Sequence, residues 1–352
     1  MSFLDVTDLD ITYTVGAGSL KAVDGVSFSL RKGESMGIVG ESGCGKTTIA
    51  KGLMQLLPKN GAITRGSITL NGRELVGLSK EAVRRLRLKE IAMISQSAMN
   101  ALNPVYTIGD QLVEGIMAHT SFGNRGAYKR AVEVFEMVGL EEKRMRSFPH
   151  QMSGGMKQRA VIAMALSLNP SLIIADEPTT ALDVVVQDRI LHRIIKIQKE
   201  INSSMIFITH DISVVSEICE TIVVMYGGKV MEMSPTDTFF RRPFHPYSLG
   251  LKNAFPLITE ITDELISIPG TPPNLLLELK GCRFNERCPF AQQKCAVELP
   301  LFYEPEPGHK VACHFPERVE EFRERSSHRD TWEVVRERLI REYMEKGAVE
   351  YA

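Results

Sequence analysis

Residues 40–47 read Gly-Glu-Ser-Gly-Cys-Gly-Lys-Thr, which is the pattern GxxxxGK[ST] of a phosphate-binding loop. The glycines permit backbone angles that other residues avoid, so consecutive N–H groups can turn inward around an anion. Lys46 adds a positive charge for the terminal phosphates, and the Thr47 hydroxyl can ligate Mg²⁺. Residues 36–39 before the loop predict a buried strand, and residues 47–57 after it predict a helix whose N-terminus faces the phosphates. The chain is therefore predicted to bind a nucleoside triphosphate.

The bulk composition excludes several classes of protein. In 352 residues, 42 Lys and Arg nearly balance 43 Asp and Glu, so no nucleic-acid partner held by bulk charge is expected. No apolar run approaches the ~18 residues that cross a bilayer. Residues 1–5 lack the basic and apolar stretches of a secretory signal, so we expect a cytosolic chain. Disulfides among its six cysteines are not expected.

Hydrophobic patterns along the chain predict an α/β fold. Short alternating runs in the first 75 residues, with the hairpin signal Asn71-Gly72, predict an antiparallel sheet beside the loop. The pattern is helical from about 102 to 168. The apolar runs 172–175 and 205–208, with a helix between them, predict a parallel sheet covered on both faces.

Polar residues that follow the predicted strands supply candidate chemistry. Asp176 and Glu177 end one strand, as a Mg²⁺ ligand and a general base do in phosphate-loop enzymes. His210 ends the next strand, where a γ-phosphate contact is favoured over a structural role. Gln96 follows a further apolar strand at 91–94. Taken alone, each of these polar residues has an ordinary structural explanation. Their order along the chain after a phosphate-binding loop is what predicts a catalytic site.

A second anion-binding helix start follows at residues 153–159, which read Ser-Gly-Gly-Met-Lys-Gln-Arg. One chain with two such starts and one phosphate-loop lysine suggests that the second completes a site on another chain. With it, the ordered motifs over about residues 3–234 resemble the ATP-binding subunit of an ABC transporter. The segment is similar to that family's LSGGQ signature, with Met152 and Met156 replacing the leucine and the glutamine.

The resemblance implies an ABC-type P-loop ATPase domain at 1–234, with a parallel-sheet core, an antiparallel β subdomain and a helical subdomain at about 97–168. It implies that Tyr13 stacks on adenine, that Gln96 senses Mg²⁺ and the attacking water, and that Asp183 joins two sites across a dimer. Catalysis would rest on Glu177, His210 and Gln96. Mg²⁺ would be held by Thr47, Gln96 and Asp176. The full predicted nucleotide set is Tyr13, Gly40, Ser42, Gly43, Cys44, Gly45, Lys46, Thr47, Thr48, Gln96, Ser153, Gly154, Gly155, Asp176 and Asp183.

The composition changes after about residue 234, and most of the 17 prolines lie beyond it. Residues 244–247, 269–273 (Pro-Gly-Thr-Pro-Pro) and 281–289 are similar to segments of dipeptide and oligopeptide importer ATPases. This predicts a small loop-rich domain at 235–316 and a charged helical tail at 317–352. The tail's apolar spacing favours a helix packed on its own chain over one that binds a partner.

The resemblance implies an ATP-hydrolysing subunit that energises peptide uptake by ATP-driven dimerisation. Its partners would be a second, homologous ATPase, two integral membrane permeases and, indirectly, an extracytoplasmic solute-binding protein. It would be peripheral, at the cytoplasmic face of the cell membrane.

Four cysteines of the C-terminal region form a candidate metal site, namely Cys282, Cys288, Cys295 and Cys313. Structural zinc sites usually show closer cysteine pairs, whereas iron–sulfur clusters tolerate looser spacing. Some importer ATPases of the resembled family carry a [4Fe-4S] cluster in this domain, which favours a cluster here. Zinc, with His309 or His314 as substitute ligands, and metal-free thiols are the alternatives.

Other functions remain open at this point. A nickel or oligosaccharide importer reuses the same ATPase type. An ABC ATPase acting on DNA or the ribosome is disfavoured, because no long coiled coil fits between Lys46 and Ser153 and the chain has one motif set. A redox or metal sensor rests on the cysteines alone.

Overall fold

The computed structural model describes residues 2–95, 101–179, 184–254 and 266–350. Its strands are β1 (Leu4–Val15), β2 (Gly18–Leu30), β3 (Ser35–Val39), β4 (Gly61–Leu70), β5 (Arg73–Glu74), β6 (Ile91–Ile94), β7 (Leu172–Asp176), β8 (Ser204–Thr209), β9 (Thr221–Tyr226), β10 (Lys229–Pro235), β11 (Tyr303–Glu306) and β12 (His309–Val311). Its described helices are α1 (Lys46–Leu53), α2 (Lys80–Leu86), α3 (Ile108–His119), α4 (Asn124–Met137), α5 (Gly154–Leu166), α6 (Val184–Glu200), α7 (Ile212–Ile218), α8 (Thr236–Arg241), α9 (Pro246–Ala254), α10 (Gln293–Val297), α11 (Val319–Ser326) and α12 (Arg329–Glu350).

The central sheet has the strand order β11-β12-β10-β9-β3-β8-β7-β6. The run from β9 to β6 is parallel, as predicted. Every residue of β3, β7 and β8 is buried, which explains why these strands read as continuous apolar runs. Because they are parallel neighbours, the residues that follow them meet at one edge of the sheet.

A separate antiparallel sheet has the order β2-β1-β4-β5. Its last turn is the predicted Asn71-Gly72 hairpin, and both residues have positive φ angles of 49° and 78°. Two consecutive left-handed residues are what a tight hairpin turn requires. The prediction of antiparallel strands in the first 75 residues is confirmed.

The helix after the loop is shorter than predicted. It begins at Lys46 and ends at Leu53, rather than reaching residue 57. Gln55 takes a left-handed φ of 50°, which an α-helix cannot continue, and Pro58 follows soon after. The apolar periodicity alone does not show this stop.

The C-terminal region extends the central sheet. Strand β12 pairs antiparallel with β10, and Glu232 lies opposite Val311. Phe284 and Trp332 belong to the same apolar cluster as Phe207 of β8. The predicted domain boundary at residue 234 therefore lies within β10, which pairs with β9 of the N-terminal part and with β12 of the C-terminal part. The exact boundary stays a prediction.

The tail helix α12 packs on its own chain in its first turns. Trp332 is buried and its indole Nε1 donates to the Ser326 carbonyl at 2.9 Å, whereas Tyr343 further along is 80% exposed. None of the helices in the described part of the chain is both long and apolar enough to cross a membrane.

Candidate functional site

The phosphate-binding loop joins β3 to α1 in a conformation that only glycine accommodates. Gly40 and Gly45 have φ angles of 147° and 107°. A Cβ on Gly40 would lie 2.1 Å from the Met225 carbonyl oxygen, and one on Gly45 would lie 2.4 Å from the Ala22 carbonyl oxygen. The loop therefore passes directly against two neighbouring strands, and side chains at these positions would displace it.

Lys46 is buried at the base of this loop. Its Nζ donates to the carbonyl oxygens of Gly40 and Glu41, at 2.6 and 2.9 Å. The ammonium group is thus held among the loop's own carbonyls at the N-terminus of α1. A phosphate there meets both this charge and the positive end of the helix.

Thr47 and Asp176 meet at the start of α1 and the end of β7. The Thr47 hydroxyl donates to Asp176 Oδ1 at 3.2 Å. Burial raises the pKa of Asp176, and the hydrogen bond from Thr47 opposes that rise. A hydroxyl and a carboxylate at this distance are oxygen ligands of the kind that Mg²⁺ takes beside phosphates, and a bound cation would stabilise the charged form of Asp176.

Glu177 and His210 form a second contact at the same edge. Nδ1 of His210 lies 3.1 Å from Oε1 of Glu177. Glu177 has a left-handed φ of 46°, and its N–H donates to the Ile208 carbonyl of β8 at 2.9 Å. A non-glycine residue held in this strained region marks a position that its surroundings determine, as is typical of functional sites.

Tyr13 of β1 lies beside the loop's helix. Its hydroxyl is 3.4 Å from the hydroxyl of Thr48. Gly61 is its cross-strand partner, and a Cβ there would lie 2.6 Å from Tyr13 Cε1. The glycine therefore leaves room for the aromatic ring on this face of the sheet.

Ser153 caps the N-terminus of α5, and its hydroxyl accepts from the Met156 N–H at 3.4 Å. Ser153 and Gly154 are exposed, so this helix start is open to another molecule. Gln158, to which the sequence assigned no role, is buried, and its side-chain amide donates to the Pro178 carbonyl. It therefore ties α5 to the segment that follows Glu177.

Two predicted site residues, Gln96 and Asp183, lie outside the described residues. The sequence also missed a set of contacts that reaches Glu41 from the C-terminal region. Arg287 and Tyr247 both contact this loop residue. Both lie in segments that the resemblance singled out, at 244–247 and 281–289. No local pattern pairs them with Glu41, because the contacts join residues more than 200 positions apart.

The four candidate metal ligands line one cavity with Phe284, Phe290 and Phe322 among its apolar walls; they are Cys282, Cys288, Cys295 and Cys313. All six cysteines of the chain are free thiols. Burial raises the pKa of Cys282 to about 12 and that of Cys313 to about 11. Burial also raises the pKa of Cys288 well above its usual range. These thiols hold their protons unless a cation stabilises the thiolates.

The four thiols of this cavity do not form a compact ligand group in the described part of the chain. Within the described residues, the only three His, Cys, Asp or Glu side chains with ligand atoms within 4.8 Å of one another are the exposed Asp188, His192 and Glu217. A single zinc ion with ~2.3 Å bonds draws four sulfurs closer than that. In the described part of the chain, no three of the four cavity cysteines have sulfurs that close together.

Two family models match the chain. The model described as "ABC transporter" matches residues 23–180, and the model described as "Oligopeptide/dipeptide transporter, C-terminal region" matches residues 231–295. The first match includes the phosphate-binding loop and the carboxylates at the end of β7. The second includes three of the four cysteines of the cavity, and Cys313 lies beyond it.

Curated relatives match over most of the chain. The oligopeptide transport ATP-binding protein OppD of Escherichia coli (strain K12) is 46% identical over 317 residues, which are 90% of this chain and 94% of that protein. The dipeptide transport ATP-binding protein DppD of Lactococcus lactis subsp. cremoris is 43% identical over 309 residues, 87% of this chain and 88% of that protein.

Solved structures match about two thirds of the chain. The ATP-binding cassette MJ0796, in a dimeric post-hydrolysis state bound to ADP and Pi, superimposes with a TM-score of 0.60 at 28% identity. The match covers 66% of this chain and 98% of that one. A second match is cbiO1 from Clostridium perfringens, with a TM-score of 0.60 at 25% identity, covering 68% of this chain and 91% of that one.

Proposed function

The chain belongs to the family of ATP-binding subunits of oligopeptide and dipeptide ABC transporters, and from this premise we propose that it hydrolyses ATP to energise peptide uptake. The observation that carries the proposal is the meeting of two contacts at one sheet edge. Thr47 contacts Asp176 and His210 contacts Glu177, next to a phosphate-binding loop. Overall identity of 46% to an oligopeptide transport ATP-binding protein supports the same function.

Each residue at this edge has a task in phosphoryl transfer. The loop N–H groups and Lys46 bind the phosphates, and Thr47 and Asp176 hold Mg²⁺, which when bound neutralises phosphate charge. Glu177 accepts the proton of the attacking water. His210 holds the Glu177 carboxylate in register and contacts the γ-phosphate. Positioning and charge stabilisation supply most of the rate in this kind of reaction.

The remaining predicted residues complete the site in the same proposal. Tyr13 stacks on the adenine ring. Gln96 orients the water and reaches Mg²⁺, and Asp183 links the two sites of a dimer. The exposed helix start at Ser153 and Gly154 binds the ATP held by a partner's loop, so that two ATP molecules are enclosed between two ATPase subunits.

The partner in this proposal is a second, homologous ATPase, which makes the pair a heterodimer. Closure of the pair moves two integral membrane permease subunits, at the cytoplasmic face of the membrane. An extracytoplasmic solute-binding protein and the permeases select the solute. Names of relatives such as OppD and DppD support peptides over nickel or oligosaccharides.

The test is transport by the reconstituted assembly. The full chain, purified with its co-purifying membrane subunits and placed in vesicles, is expected to drive ATP-dependent uptake of a labelled di- or tripeptide. The matched control is the same assembly with Lys46→Ala, which should lose uptake and ATP turnover together. Uptake of nickel or an oligosaccharide instead of peptide would show that the transported solute belongs to another class. A stable complex with DNA or ribosomes, without membrane subunits, would contradict the transport proposal.

For the cysteine cavity we propose a [4Fe-4S] cluster bound by Cys282, Cys288, Cys295 and Cys313. The support is that four free thiols line one shared apolar cavity. When bound, a cluster supplies a rigid cross-link of the C-terminal region and a group that can exchange one electron. The cysteines supply the ligands, and the aromatic walls exclude water from them.

Metal analysis of the chain purified without oxygen tests this proposal. About four iron and four sulfide per chain, with broad visible absorbance, are expected. Cys288→Ser should lose iron, whereas Cys219→Ser, which removes a buried thiol outside the cavity, should keep it. One zinc per chain without colour, or no metal at all, would overturn the cluster assignment.

A further inference from the structure

Glu41 of the phosphate-binding loop is held at each of its polar groups. Its N–H donates to the Tyr247 hydroxyl at 3.0 Å. Its carbonyl oxygen accepts from Lys46 Nζ at 2.9 Å. Its carboxylate Oε2 accepts from Arg287 Nη1 at 2.7 Å. Two of these three partners come from the C-terminal region, and the third is the phosphate-binding lysine itself.

Arg287 is itself fixed before it reaches the loop. The side chain is 5% exposed, and its Nε donates to the Pro269 carbonyl at 2.7 Å. Nη2 donates to the Ile268 carbonyl at 3.3 Å, and Nη1 also donates to the Tyr226 hydroxyl at 3.0 Å. The Pro-Gly-Thr-Pro-Pro segment, which the sequence singled out, therefore supplies a carbonyl that aims the guanidinium.

The charge of Arg287 is compensated where it is buried. Its guanidinium donates to the Glu41 carboxylate and to the Tyr226 hydroxyl. A buried guanidinium without its carboxylate would be uncompensated, and removal of either partner of such a pair is strongly destabilising. The pair is thus a stiff link between the loop and the C-terminal region.

We propose that Arg287 is a positioning residue for the ATP site, which holds the phosphate-binding loop through Glu41 in the conformation that binds nucleotide. The proposal rests on ATP binding at this loop, as proposed above, and does not depend on what fills the cysteine cavity. Lys46 Nζ donates to the carbonyl oxygen of Glu41, so a displacement of Glu41 also displaces the charge of Lys46. Affinity for MgATP is therefore the property that the link should control.

Arg283 offers a matched control in the same segment. It is 10% exposed and pairs with Asp24 Oδ2 at 2.6 Å, so it is a buried Arg–carboxylate pair like the first. It also donates to the Leu279 carbonyl. Its partners Asp24 and Leu279 lie outside the phosphate-binding loop. Loss of Arg283 should therefore cost stability without a selective effect on nucleotide binding.

The experiment measures binding of a fluorescent ATP analogue with Mg²⁺ to the full chain, and thermal unfolding of the same samples. Arg287→Met is expected to weaken binding about fivefold or more. Arg283→Met should lower the unfolding temperature similarly and change binding less than about twofold. Arg287→Lys keeps the charge but loses the guanidinium donors that fix the side chain on the Pro269 and Ile268 carbonyls, so it should fall between Arg287→Met and the parent chain.

Glu41→Gln provides the second arm if Arg287→Met does not fold. It keeps the size of the side chain, and it should weaken binding by a similar factor. The double variant Glu41→Gln with Arg287→Met should be no weaker than the worse single variant, because both remove one interaction. In the transport assembly, Arg287→Met should raise KM for ATP more than it lowers kcat.

Three results overturn the inference. Equal weakening by Arg283→Met and Arg287→Met would show a general loss of stability. Fully additive effects of the Glu41 and Arg287 substitutions on binding would show that the two side chains influence nucleotide affinity independently. Parent-like binding by folded Arg287→Met or Glu41→Gln would remove the positioning role. Failure of the parent chain to bind the analogue would instead count against the proposed ATPase function.

Discussion

His210 Nδ1 lies 3.1 Å from Glu177 Oε1, and the two residues directly follow neighbouring parallel strands. Glu177 is 17% exposed at its side chain whereas His210 is 62% exposed. The imidazole is thus the more exposed of the two side chains. This order suits a histidine that orients the carboxylate while it remains free to meet a phosphate.

Replacing Glu177 by Gln should abolish turnover while nucleotide binding persists. The amide keeps the size of the side chain but cannot accept the proton of water, which should lower kcat about 100-fold or more. Steady-state ATPase assays beside equilibrium binding of MgATP measure both quantities. The control is Glu200→Gln, an exposed carboxylate at the end of α6 that pairs with Lys196 at 3.8 Å. Turnover at the parent rate in Glu177→Gln would make the base assignment wrong.

Tyr13→Ala should weaken MgATP binding, because an aromatic ring stacked on a base contributes about 1–3 kcal/mol. That corresponds to a loss of roughly 5- to 150-fold in affinity. Tyr13→Phe keeps the ring and loses only the 3.4 Å contact to the Thr48 hydroxyl, so it should bind close to the parent. Isothermal titration with ATP and with inorganic triphosphate separates the base contribution. Equal losses for Ala and Phe would contradict stacking.

Gly37→Ala should destabilise the central sheet by about 1–3 kcal/mol. A Cβ on Gly37 in β3 would lie 2.4 Å from Cγ1 of Val215, which belongs to the buried face of α7. Urea unfolding measures the change. Gly16→Ala is the matched control, since nothing lies within 4 Å of its Cβ position. A change smaller than that of Gly16→Ala would show that α7 moves away freely.

Asp24 should make stability fall on acidification. Burial would raise its pKa, but the hydrogen bonds and charges of Lys229, Arg283 and Lys21 outweigh burial and lower it well below 3.8. The unfolded chain then takes up the proton first as the pH falls. The stabilisation is therefore complete above about pH 4 and is lost progressively below it.

Unfolding by urea at a series of acid pH values measures this effect. Asp24→Asn should be less stable than the parent at neutral pH, and the difference should shrink below about pH 4. Asp237→Asn changes a carboxylate that is 88% exposed, so it should leave the free energy of unfolding unchanged both at neutral pH and below about pH 4. A pH-independent difference for Asp24→Asn would refute the charge assignment.

Local sequence was sufficient for much of the site. Three signals each span only a few residues: the glycines of residues 40–47, the turn at Asn71-Gly72, and the apolar runs before Asp176 and His210. The structure that each predicts depends on backbone angles and burial, which neighbours in sequence already determine. The motif order and the family resemblance predicted the rest of the nucleotide set, which stays a prediction, whereas the family itself is shown.

Tertiary structure decided what joins the C-terminal region to this site. The sequence marked residues 269–273 and the four cysteines as unusual, but only the fold places Arg287 against Glu41 and the thiols around one cavity. It also adds β12 to β10, across the predicted domain division. These contacts join positions far apart in the chain. Their partners depend on which strands and turns pack together, and no local pattern carries that information.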